Sequence, residues 1–224
     1  MSIWFSSDHH FRHGNIIKYT NRLFAMSEKE KEICLSKDQY AYSKLKLSLD
    51  SIRKHDRHLI ENWNKLIQPN DAVYHLGDFC FGYAGDIHNI LNQLNGRIHL
   101  IYGNHDREIR NDPKLQERFV WCKDYFELEI PDKDASRGRQ LIVLMHYAMR
   151  VWNKSHHSSF MLFGHSHGSL ADDPYSKSMD IGIDNIAKLL SPNDRLAEDY
   201  RPVTYEEVKK WMSKKQWKPI DHHD

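Results

Sequence analysis

Five times along this chain a short apolar run ends in a tight turn that delivers aspartate, asparagine or histidine. Ile3–Ser7 runs into Asp8-His9-His10, and Ala72–Leu76 runs through Gly77 into Asp78. Arg97–Tyr102 delivers Gly103-Asn104-His105-Asp106, Gln140–Met145 delivers His146, and Ser159–Phe163 delivers Gly164-His165-Ser166-His167. Runs rich in Val, Ile and aromatics are strands. In α/β proteins the loops at one rim of the sheet collect the ligands. Asp8 and His10 alone would serve equally well in an Asx turn, and His146 alone as a satisfied core histidine. Five units with oxygen or imidazole donors at the same relative place describe a binuclear metal site instead, with Asp78 as the carboxylate that bridges two cations. His105, beside these donors, is the candidate proton donor to a leaving group.

The rest of the composition narrows the setting. The chain has 224 residues, 40% hydrophobic and 28% charged, with a net charge of +1. This suits one domain spanning 1–224 and gives no global field favouring nucleic acid. Cys34, Cys80 and Cys122 are odd in number and lack paired spacing, which points to a reducing, cytoplasmic setting without disulfides. The chain enters a strand at once, without a signal peptide, and no apolar run approaches membrane-spanning length, so no membrane partner is expected.

Between the first and second ligand units lies a polar stretch, about 26–56, whose Ser27-Glu28-Lys29-Glu30 opens a helix with a capping box. Apolar residues from Leu45 to Ile67 recur at helical spacing and predict an amphipathic helix docked on the sheet. The run Arg53–His58 is expected on its solvated face. The insert is long enough to cover a substrate. Further helices are expected at 14–19, 86–94 and 204–212. Strands are expected at 119–121, 125–130 and 178–183, with a polar turn at 132–139. The closing Asp221-His222-His223-Asp224 looks like a metal cluster but is expected to be a frayed tail.

The ordered set Asp8-x-His10, Gly77-Asp78, Gly103-Asn104-His105-Asp106, His146 and Gly164-His165-Ser166-His167 resembles the calcineurin-like metallophosphoesterase superfamily. Trp4-Phe5-x-Ser7-Asp8-x-His10-Phe11, Leu59–Asn64, Tyr74–Phe79 and His146-Tyr147 are similar to its small bacterial and phage-type members. The resemblance implies an α/β fold, a four-layer α/β/β/α sandwich of two mixed sheets with the binuclear centre at the strand C-terminal edge. It implies one ion held by Asp8, His10, Asp78 and His167, and a second by Asp78, Asn104, His146 and His165. It also implies His105 as general acid. The protein-phosphatase branch follows its Gly-Asp with Val-Asp-Arg-Gly. Here Phe79-Cys80-Phe81-Gly82 follows, which argues against that activity. Leu23 and Ala148 stand where relatives often carry proline, a difference in loop stiffness that leaves the ligands intact.

The expected chemistry is hydrolysis of a phosphate ester by in-line attack of metal-bound hydroxide, with two divalent ions, Mn²⁺ first and Fe, Zn²⁺ or Ni²⁺ as alternatives. The leading substrate is a small nucleotide-like phosphodiester. A nuclease acting on nucleic acid, a phosphomonoesterase and a non-catalytic scaffold are the alternatives. His13, Arg22, Asp106 and His75 are candidate substrate-side or supporting residues, Asp106 by orienting His105. Arg12, His156 and His157 are weaker candidates for the substrate side.

Overall fold

A computed structural model describes residues Met1–Ile220; the Asp221–Asp224 cluster lies outside them. Two mixed sheets stack face to face, with helices outside the first. The first sheet contains β1 (Ile3–Ser6), β2 (Ala72–His75), β3 (Arg97–Ile101), β4 (Cys122–Lys123) and β9 (Val203–Thr204) in the order β4-β3-β2-β1-β9. β1, β2, β3 and β4 are parallel neighbours, and β9 closes the β1 edge antiparallel. Parallel neighbours require crossovers, which are supplied by α4 (Leu49–Leu66) between β1 and β2 and α5 (Ala84–Leu91) between β2 and β3. The second sheet runs β5 (Tyr125–Pro131), β6 (Arg139–Met145), β7 (Phe160–Phe163), β8 (Ser178–Asp180), with β5–β6 antiparallel and the others parallel.

Alternation along each strand divides the core. Phe5, Tyr74 and Ile101 face inward and meet Leu128, Ile142, Leu144 and Leu162 of the second sheet. Trp4, Val73, Ile98 and Leu100 face outward onto Leu59 and Trp63 of α4 and Ile87 and Ile90 of α5. On the far face of the second sheet, Val143, Met161 and Phe163 are covered by Met149 and Trp152, from the chain that follows His146. Apolar area removed from water on both faces of the first sheet is what holds these layers together.

The remaining helices are α1 (Gly14–Tyr19), α2 (Glu28–Leu35), α3 (Gln39–Lys44), α6 (Arg107–Asn111), α7 (Pro113–Gln116), α8 (Ile183–Leu190) and α9 (Tyr205–Met212). The capping box read from Ser27 and Glu30 starts α2. α2 and α3 pack with α1 in a small core of their own around Ile17, Met26 and Cys34.

Several local expectations need correction. The stretch 178–183 is strand only to Asp180, and α8 follows directly. Gly182 turns the chain, and Ile183, Ile186 and Ala187 form the buried helical face. Val120 and Trp121 each make one ladder bond to β3, but the strand itself is Cys122–Lys123. Arg53–His58 is not a solvated face throughout, because α4 turns His55 and Asp56 inward. No disulfide joins the three cysteines. No helix among the described residues is long and apolar enough to cross a membrane.

Candidate metal centre

The parallel strands β1, β2 and β3 point their carboxyl ends the same way, as do β6, β7 and β8, and the two edges are joined. Ser7 bridges Gly182 in parallel, and the Ile183 N–H donates to Ser7 O at 3.2 Å. Each strand therefore releases its polar residues into one shared cleft. Asp8 (φ 60°), His10 (50°), Asp78 (54°), His165 (66°) and His167 (49°) all adopt left-handed backbone conformations there. Such φ values are uncommon outside glycine and cluster at functional sites, where surrounding structure holds the strain. Close approach is the other local requirement. A Cβ on Gly103 would collide with Asp78 N and Oδ1, and one on Gly164 with Ser7 Oγ and Asp8 Oδ2.

Two groups that could hold a metal ion result, Asp8 with His10 and His167, and Asp78 with His146 and His165. His10 Nε2 lies 3.4 Å from Asp78 Oδ2 and 4.0 Å from Asp8 Oδ1. It is buried with no hydrogen-bond partner, the condition of a ligand atom facing a cation. His167 Nε2 is 3.9 Å from Asp8 Oδ1, and His146 Nε2 is 3.6 Å from Asp78 Oδ2. Asn104 Oδ1 sits 3.1 Å from His146 Nε2 and 2.9 Å from His165 Nδ1.

Partners behind the rings fix which nitrogen faces the cleft. His146 Nδ1–H donates to Leu76 O at 2.7 Å, and His167 Nδ1–H donates to Asp184 Oδ2 at 2.6 Å. Each Nε2 is thereby turned toward the carboxylates, the arrangement that orients imidazole ligands in metal sites. Burial holds His10 and His146 below the ordinary histidine range. His13 is pushed down to about 4 by burial and then by His105.

The charge balance also fits a cation. Asp8, Asp78, Asp106, Asp180 and Asp184 are all buried here, and Arg22 is the one guanidinium buried with them among the described residues. Burial, reinforced by Asp180 and Asp78, drives the Asp8 carboxyl well above its usual range. Concentrated buried carboxylates demand a compensating positive charge, and imidazole, carboxylate and amide oxygen donors suit divalent transition metals.

The supporting residues differ from expectation in several places. Among the described residues Asp106 makes no hydrogen bond to the His105 ring and no salt bridge. Its carboxylate accepts the backbone N–H groups of Asp78 (2.9 Å), Phe79 (2.9 Å) and Gly103 (2.8 Å), welding the loop after β2 to the loop after β3. Burial raises it to about 6 despite those bonds. Arg22 is fully buried, bound to Asp184 and donating to the carbonyls of Asp8 and His9, so it does not line the open cleft. His75 is also core. Gly77 N–H donates to its Nδ1 at 3.2 Å, and its Nε2–H donates to His9 Nδ1 at 2.9 Å. His13 lies beside the centre, its ring 5.3 Å from His10 and 5.8 Å from His105. Arg12 is spent on Asp86 at 3.0 Å, with Asp56 at 4.0 Å. His156 and His157 belong to the turn 155–157, and Ser158 beside it binds Gln140 at the entry of β6, the opposite end from His146. They do not face the centre.

His105 donates its backbone N–H to Asp78 Oδ1 at 2.8 Å and places its ring 5.3 Å from His10. Sequence reasoning missed Asp180 and Asp184. Asp180 accepts the Gly168 and Gly182 N–H groups, each at 2.8 Å, and Asp184 carries His167 and Arg22. The only local signal at Asp184 is an acid in a first helical turn, which the helix dipole favours anyway.

A face-to-face α/β sandwich with His/Asp clusters able to hold metal ions at its shared sheet edge is the architecture of a metallophosphoesterase. The chain belongs to the calcineurin-like phosphoesterase superfamily, whose domain profile matches residues 54–177, a little over half of its length. It is 26% identical over 221 residues to an uncharacterized protein of Methanocaldococcus jannaschii, covering 95% of this chain and 92% of that one. The gene 66 protein of Mycobacterium phage L5 is 22% identical over 213 residues, covering 85% and 90%. A protein of unknown function from Aquifex aeolicus shares the fold, with a TM-score of 0.54 at 19% identity over 94% of this chain and 98% of that one. The profile match begins after Asp8 and His10; the fold brings those two to the cleft.

Proposed function

We propose that this chain is a metal-dependent phosphodiesterase acting on a small nucleotide-like substrate. Its residues 1–224 would form one catalytic domain, with 26–56 as a helical insert. The observation that carries the reading is His10 Nε2, buried without a partner between Asp8 and Asp78. Asp8, His10, Asp78 and His167 would hold one ion, and Asp78, Asn104, His146 and His165 the other, with Asp78 shared. When bound, two such ions lower the pKa of a water and neutralise charge on phosphoryl oxygens. Mn²⁺ is the leading ion, with Fe, Zn²⁺ and Ni²⁺ as alternatives. The ring of His105 is the proton donor to the departing oxygen. Free thiols on all three cysteines support a cytoplasmic setting.

A diester is favoured over a monoester by the fate of the nearby cations. Arg22 is committed to Asp184, and Arg12 to Asp86, so neither is spare for the second negative charge of a monoester. The test is Mn²⁺-dependent hydrolysis of bis-p-nitrophenyl phosphate against p-nitrophenyl phosphate, in wild type and Asp78→Asn. Preference for the diester, lost in the variant, supports the proposal. Preference for the monoester assigns a phosphatase, and full activity of Asp78→Asn removes the shared ligand.

A further inference from the structure

Single exposed apolar rings are ordinary on protein surfaces, but Phe81 exposes one at the rim of the candidate metal centre, against His13 and His105. Phe81 is 51% exposed, three residues after Asp78. One face of its ring stacks on His13 at 4.2 Å and 16°, and its centroid lies 5.5 Å from that of His105 with the two rings inclined at 64°. Its backbone is fixed: Phe81 N–H donates to Phe11 O at 2.8 Å, and the adjacent buried Cys80 bridges Phe11. An exposed ring on a rigid backbone loses little freedom when a second ring lies on it. Tyr147, 43% exposed, stands at the other side of the cleft, 4.7 Å from the ring of His165.

His105 sets the polarity of this arrangement. If it protonates the departing oxygen, the leaving arm of the ester passes beside it, and Phe81 is the ring that arm meets. Resting on the phosphodiesterase reading above, we infer that Phe81, backed by His13, is a stacking platform for a nucleobase on the leaving arm. The substrate is then a phosphodiester whose leaving alcohol is a nucleoside. In the reaction water forms the new P–O bond, and the bond to the nucleoside oxygen breaks. That oxygen leaves with a proton, and the retained arm keeps the phosphate as a monoester.

The test compares two diesters sharing the same retained nucleotide, a dinucleoside monophosphate and the methyl ester, on Mn²⁺-loaded wild type, Phe81→Ala and Phe81→Trp. A base–aromatic stack predicts that Phe81→Ala lowers kcat/KM for the dinucleotide about tenfold. The methyl ester should be unaffected, and Phe81→Trp should restore the dinucleotide rate. Equal losses on both esters, or no loss on either, would overturn the platform. Turnover of neither ester by metal-loaded wild type would refute the hydrolytic reading instead. Calorimetric affinity for the dinucleotide then decides the platform alone. A tenfold loss in Phe81→Ala upholds it, and equal affinities overturn it.

Discussion

Arg22 and Asp184, far apart in sequence, form a fully buried two-pronged ion pair, with Nε 3.0 Å from Oδ1 and Nη2 2.7 Å from Oδ2. The same guanidinium donates to Asp8 O and His9 O, each at 2.8 Å, and the same carboxylate accepts His167 Nδ1–H. One pair therefore holds the loops of Asp8 and His167 in a fixed relation. Burial would raise the Asp184 carboxyl, but Arg22 and His167 outweigh it and hold it far below the carboxylate range.

Removing one partner leaves an unpaired buried charge, so Arg22→Met and Asp184→Ala should each cost about 3–5 kcal/mol in urea unfolding. Arg22→Lys keeps the charge but not the planar fork, and should recover only part of that stability. Metal titration of the variants that still fold should show weaker binding. Unchanged stability and metal affinity would mean that the pair does not brace the loops.

The helical insert is tied down by Glu30, whose carboxylate accepts Ser27 N–H at 2.8 Å, Ser48 N–H at 2.7 Å and Ser51 Oγ–H at 2.5 Å. Burial opposes ionisation, yet these donors hold the carboxyl at about 2, below its ordinary value of 4.5. A depressed carboxyl contributes its stability fully above its unfolded pKa and loses it as pH falls through the folded one. Glu30→Gln should therefore be less stable than wild type at pH 7. The gap should close between about pH 4.5 and pH 2, as read by thermal unfolding across that range. A gap constant with pH would show that the carboxylate charge is not what holds the insert.

The loops that carry the His/Asp clusters were legible because each follows a short β-rich run, and strand exits gather at one edge of a parallel sheet. The family and two-sheet architecture followed from that order. What stayed hidden depends on tertiary partners. Arg22 and Asp106 have ordinary surface chemistry in sequence, and only the fold shows one buried against Asp184 and the other capping three amides. α8 was hidden because Ile181-Gly182-Ile183 continues the β-rich character of the preceding strand.

His105 offers a cleaner separation of roles than the buried cluster residues. Only its backbone touches Asp78, at 2.8 Å, so His105→Ala keeps that bond. Metal content measured by elemental analysis should match wild type. Loss of a general acid costs about 10²–10⁴-fold in rate, and the loss should be greatest for esters of poorly acidic alcohols. A uniform loss across leaving groups would remove His105 from the proton-transfer role.

Two glycines give opposite expectations from the same substitution. Gly85 lies in α5, and a Cβ there meets nothing within 4 Å. Alanine removes unfolded-chain freedom at no steric cost, so Gly85→Ala should stabilise by about 0.4–1 kcal/mol. At Gly103 the added carbon would sit against Asp78, 2.9 Å from its Cγ and closer still to its N and Oδ1. Overpacking of this kind costs about 1–3 kcal/mol. The displaced group is also the carboxylate proposed to serve both ions, so Gly103→Ala should lose metal affinity as well as stability. Calorimetric titration of Mn²⁺ beside thermal unfolding reads both effects. A Gly103→Ala protein that unfolds earlier but binds Mn²⁺ as wild type does would show that Asp78 can shift without consequence for the centre.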